Sequence, residues 1–193
     1  PMQLRGKVIL ATDQNPQNDY TSYYQITVMP EGMAVITIGE GNQEDRVPVD
    51  MFWRNSLYET IYYPTEINMF GTISAIAFYN NFQTNLPDKP IKIWLGSTAN
   101  QDLSEGWVPA GDLTLVFDGT VTFPSGANTI MIPLSTPYVY TGGNLVMMVN
   151  RPMDTQYYNS MDMFKVQSNT QQRALRVQSD STEYLPDAPP AGT

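Results

Sequence analysis

From Gln25 onward the chain is a succession of short apolar, β-branched and aromatic runs separated by Gly, Pro, Asn or Asp. The runs fall at residues 25–29 (QITVM), 34–38 (AVITI), 46–49 (RVPV), 58–63 (YETIYY), 72–79 (TISAIAFY) and 91–95 (IKIWL). They continue at 113–117, 120–123, 129–132, 145–150, 164–167 and 174–178. Such residues suit a pleated, half-buried surface. No segment keeps a helical apolar period over three turns. The spacing therefore predicts an all-β fold, a β-sandwich of jelly-roll type with antiparallel strands. One turn of helix is expected at 64–67 (PTEI), where Pro64 suits the first helical position.

Alternation also assigns faces. Ile91, Ile93 and Leu95 share one side of their strand and Lys92 and Trp94 the other, so Trp94 should point away from the most aliphatic face. Residues 145–149 are apolar on both sides, as suits a central strand covered on each face. In residues 106–123 (GWVPAGDLTLVFDGTVTF), Leu113, Leu115 and Phe117 share a face, and Asp118-Gly119 reads as the type I′ connection of a hairpin. The expected organisation is a leader or joining segment at 1–28 with a candidate strand at 7–11 (KVILA), a sandwich at 29–184, and a Pro-rich linker or tail at 185–193 (LPDAPPAGT).

Composition narrows the chemistry. Only 15% of the 193 residues are charged, against roughly a quarter in average soluble domains, which suits the polar, uncharged surface of a secreted or cell-surface β protein. The chain has no cysteine, which removes disulfides, thiolate metal sites and cysteine nucleophiles, and favours a bacterial source among exported domains. It also has no histidine, so Ser-His-Asp machinery and imidazole-based zinc sites are excluded. A net charge of −9 repels nucleic acid. No apolar run is long enough for a transmembrane helix.

Three chemistries survive. Paired carboxylates could serve a glycoside hydrolase, although 19 acids make many accidental pairs. Calcium could be held by oxygen ligands in two polar loops: Asp13, Asn15 and Asp19 in residues 12–19, and Glu40, Glu44 and Asp45 in residues 39–45. Neither loop has EF-hand spacing, and a plain solvated turn explains both. Exposed tryptophans could stack on sugar rings, with Trp53, Trp94 and Trp107 as candidates; core or edge packing is the competing account.

Several motifs in order carry a family resemblance. Val47-Pro48-Val49, residues 59–67 (ETIYYPTEI), 71–78 (GTISAIAF), 90–96 (PIKIWLG), 107–109 (WVP), 115–121 (LVFDGTV) and 140–146 (YTGGNLV) resemble a β-sandwich module of large secreted or surface multidomain proteins from Bacteroidetes and Cloacimonetes-type bacteria. The resemblance covers residues 34–187. It implies a non-catalytic structural or adhesive role in an exported protein, with a protein partner or copies of itself, and carries over no catalytic residue. Self-assembly by strand addition from residues 7–11 is one form of that role; a carbohydrate-binding module is the alternative.

Overall fold

The computed structural model describes residues 2–8, 19–21, 24–26, 31–41 and 43–190. The chain divides into two units, Pro1–Thr37 and Ile38–Thr193. In the first, β1 (Met2–Leu4) pairs antiparallel with β2 (Tyr24–Ile26). Lys7 bridges Tyr20, and the Arg5 guanidinium lies 3.9 Å from the centre of the Tyr20 ring. Residues 9–11 of the candidate strand, and residues 27–29, fall outside the described residues. Residues 34–38 are not a strand, contrary to their composition.

The second unit is the sandwich. Its strands are β3 (Gln43–Asp45), β4 (Asn55–Tyr62), β5 (Gly71–Phe82), β6 (Leu86–Thr98), β7 (Thr114–Phe123), β8 (Gly126–Tyr140), β9 (Asn144–Arg151), β10 (Met163–Val166) and β11 (Ala174–Ser179). They form a four-stranded sheet, β3-β10-β5-β8, and a five-stranded sheet, β11-β4-β9-β6-β7. All strand pairs within the two sheets are antiparallel. β4 pairs with β9, β5 with β8 and β6 with β7, and the β4–β9 and β6–β7 pairs join through β9 and β6. This nesting of strand pairs, folded over between two sheets, is the jelly-roll path that the spacing predicts.

The core lies between the sheets. Ile91, Ile93, Leu95, Val116, Val121, Phe123, Met147 and Val149 of the five-stranded sheet meet Phe78, Phe82, Ile130, Ile132, Leu134 and Phe164 of the other. Phe82, Phe123 and Phe164 form a ring cluster across it, with centroids 5.0–5.8 Å apart. The outer face of the five-stranded sheet is also apolar. Leu57, Ile61, Val146, Met148 and Leu175 lie under a strap, residues 99–113, which contributes Leu103, Trp107, Val108, Ala110 and Leu113. Two-sided cover explains why all eight residues of β9 are buried.

The single helical turn forms as expected, α1 (Pro64–Ile67). The Glu66 carboxylate accepts the Tyr63 N–H at 2.7 Å and a two-pronged bond from Arg173 at 2.6 and 3.1 Å. Two further expectations fail. Residues 46–49 are not a strand; the chain turns there through a cis Val47-Pro48 bond. Asp118-Gly119 is no turn either, because β7 runs straight through it with Asp118 opposite Lys92 and Gly119 opposite Ile91. Cross-strand pairing along β6 satisfies this backbone more fully than a two-residue turn. A bulge at Val116, where the register steps from Phe117 to Leu115 against Ile93 and Trp94, lets both Val116 and Val121 reach the core.

Gly96 is needed for close approach. A Cβ there would stand 2.3 Å from Leu113 Cδ2 and 3.5 Å from the Asp112 carbonyl oxygen. Gly96→Ala is expected to lift the end of the strap and cost about 1–3 kcal/mol in urea unfolding, the usual range for overpacking.

Candidate functional site

The described candidate residues do not gather into one site. Asp13 and Asn15 lie outside the described residues. Asp19 enters through its backbone, whose carbonyl accepts the Val8 N–H at 2.9 Å. Glu40 is exposed, and its N–H donates to Gln167 Oε1. Glu44 and Asp45 are not in a loop as expected but on β3, so their side chains alternate. Glu44 meets Lys165 at 2.5 Å and Asn81 at 2.9 Å, and the Lys165 bond holds its carboxyl below the ordinary range. Asp45 pairs with Arg176 at 2.8 Å. Among the described residues no three metal-ligating side chains cluster around a point.

The tryptophans are all partly buried. Trp94 does face away from the main core, as its alternation predicts, and shares the outer cluster with Trp107. Trp53 lies elsewhere, edge-on to Phe52 with ring centroids 5.8 Å apart. The indole N–H groups of Trp53 and Trp107 are buried without an acceptor among the described residues.

Several carboxylates have structural partners. Asp118 pairs with Lys92 at 3.0 Å and Asp50 with Arg46 at 3.4 Å. Burial nevertheless lifts the Asp50 carboxyl. The depression beside it, between residues 46–50 and the paired strands β4 and β11, holds about 10 Å3, roughly the space of one water. Asp162 is fully buried and accepts the Gln83 and Thr84 N–H groups at 2.8 and 2.9 Å, fixing the β5–β6 turn.

Two polar residues that sequence reasoning passes over occupy the most constrained positions. Arg151, at the end of β9, is 0% exposed. Its guanidinium donates to the carbonyls of Asp50, Met51, Trp53 and Gln156 and to Asp154 Oδ2, binding the 50–54 and 153–156 segments together. Nothing in the run LVMMVNR marks this arginine as different from a strand-end charge. Glu59, on β4, is also 0% exposed. Its Oε1 accepts the Val108 N–H at 2.8 Å, while Oε2 has no partner among the described residues. Burial drives its carboxyl up to about 7, and the Val108 bond only partly offsets this. The signal for Glu59 is legible in Leu57-x-Glu59-x-Ile61, where alternation sets one acid on an apolar face.

The outer face of the β5–β8 pair is uncharged. Neither the 12 residues of β5 nor the 15 of β8 include Asp, Glu, Lys or Arg. Ala75 stands opposite Pro133, Ala77 opposite Met131, Tyr79 opposite Thr129 and Thr72 opposite Val139. Tyr79, Met131 and Val139 are 41, 55 and 64% exposed, while Phe78, Ile130 and Ile132 between them point into the core. Phe70, 74% exposed at the start of the pair, stacks against Tyr140. β8 is an edge strand, and Pro133 and Pro137 remove two of its backbone donors.

Comparison with known proteins gave no match, whether against protein-family models, curated proteins or solved structures.

Proposed function

We propose that the chain is a non-catalytic structural or adhesive module of an exported bacterial surface protein, working through contact with copies of itself. The observation that carries this reading is the uncharged β5–β8 face, with Tyr79, Met131 and Val139 exposed on a chain of net charge −9. Exposed apolar side chains on one continuous face mark interaction surfaces. On so acidic a molecule the uncharged face is where copies can meet with least repulsion. The ion-paired carboxylates described above fit a role without turnover. The adhesive role and the bacterial surface setting rest on the resemblance of the motifs at 47–146 to secreted β-sandwich modules.

Met131→Lys tests the surface. The change puts a cation at the centre of the face, on a side chain 55% exposed, so the fold should tolerate it. In sedimentation velocity the variant is expected to remain monomeric at concentrations where the unaltered protein associates. Equal association of the two would remove this face from the account.

A further inference from the structure

The strap is tethered along its length. The Gln101 carbonyl accepts the Tyr63 hydroxyl at 2.7 Å, the Leu103 N–H donates to Gln172 at 2.8 Å, and the Ala110 N–H donates to Pro186 at 3.2 Å. Between the last two anchors, the Val108 N–H donates to Glu59 beneath it. Glu59 sits on the sheet face that presents Leu57, Ile61, Val146, Met148 and Leu175.

Among the described residues no cation is bonded to this carboxyl, whose one hydrogen bond is from Val108. Of the strap's own acids, Asp102 accepts the N–H and hydroxyl of Ser104 at 3.0 and 2.6 Å, and Glu105 and Asp112 are exposed. On the β11 side, Arg173 is held by Glu66 and Arg176 by Asp45. On β9, Arg151 is engaged with Asp154, and on β6, Lys92 with Asp118. An ionised Glu59 would be a buried charge with one hydrogen bond, whereas a protonated Glu59 is a neutral group in an apolar layer.

We propose that the 99–113 strap is a proton-operated cover, closed over the sheet while Glu59 carries a proton and loosened when Glu59 ionises. Opening lets the carboxylate reach water and exposes the apolar layer around Val146 and Met148. The geometry supplies the direction, since the closed state buries the group completely and the open state hydrates it. The height of its titration, about 7 closed against an ordinary 4.5, supplies the scale. The closed-to-open ratio is expected to fall by about two orders of magnitude between pH 4.5 and pH 8, tenfold for each step in pKa. The response is independent of self-association at the β5–β8 face.

Amide hydrogen exchange across that pH range, corrected for intrinsic rates, reads the opening directly. Protection of Leu103 and Val108 is expected to fall with rising pH while that of residues 145–150 in β9 holds. Glu59→Gln keeps an oxygen for the Val108 N–H but cannot ionise, so its strap protection should not change with pH. Three outcomes would overturn the proposal: strap protection that ignores pH in the unaltered protein, an equal response in Glu59→Gln, or parallel loss in β9. Should Glu59→Gln fail to fold, carboxyl carbon NMR of the unaltered protein decides instead. A Glu59 midpoint near neutrality supports the cover, and one near the ordinary glutamate value overturns it.

Discussion

Arg151→Ala is expected to lower the stability of the sandwich by about 3–5 kcal/mol, the range for breaking a buried ion pair by removing one partner. The side chain fills a fully buried site at the end of β9, and its donors serve four backbone carbonyls and Asp154. Truncation strands those acceptors in a place that excludes water, and each unsatisfied buried group carries a cost of its own. Arg151→Lys should recover only part of the loss, because one ammonium offers three donors on a single atom where the planar fork reaches several acceptors at once. In a domain of this size the alanine variant should melt roughly 6–20 °C below the parent. A circular-dichroism melt measures this, and a shift of only a degree or two would show that the cluster is not a structural knot.

Glu59 governs the second large effect. Its folded carboxyl titrates at about 7 against an ordinary 4.5, so the folded state holds a proton that the unfolded chain releases across that window. Folding stability from this group is therefore fully present below pH 4.5, declines as pH rises through 7, and levels off above it. The decline amounts to about 3 kcal/mol, since each step in pKa is about 1.4 kcal/mol. Glu59→Gln should match the parent near pH 4.5 and exceed it by about that amount at pH 8 to 9. Urea unfolding at the two pH values checks both halves. A parent no less stable at pH 8 than the glutamine variant contradicts the burial of an uncompensated carboxyl.

Much of the architecture is legible along the chain, for identifiable reasons. β9 reads as a covered central strand because both of its faces are apolar, and Trp94 reads as outward because Ile91, Ile93 and Leu95 alternate with it. The strands themselves run longer than their apolar runs suggest. β6 contains Pro87 and Pro90, residues that argue against a central strand, yet β9 pairs only with Lys92 through Thr98, so both prolines lie where β6 has one neighbour. β8 accommodates Pro133 and Pro137 because it is an edge.

What escapes the sequence depends on contacts between distant segments. Asp118-Gly119 has ideal turn chemistry, but whether it turns is decided by the strand beside it, some 25 residues earlier. Arg151 takes three of its acceptors, the carbonyls of Asp50, Met51 and Trp53, from a segment about 100 residues away, which no local pattern reveals. The carboxylates of residues 44 and 45 look like loop ligands until β10 and β11 supply Lys165 and Arg176. The uncharged β5–β8 face is the converse case. Its composition is visible in the two runs separately, and only the pairing of residues 71–82 with 126–140 places them on one surface.

If the module works by contact between copies through its uncharged face, association should depend on salt. Copies of net charge −9 repel each other at long range, and salt screens that repulsion while leaving contact between Tyr79, Met131 and Val139 intact. Sedimentation velocity of the unaltered chain at low and high sodium chloride is the direct measurement. Association is expected to strengthen as salt rises. A chain that stays monomeric at every salt and protein concentration, or associates only at low salt, contradicts it.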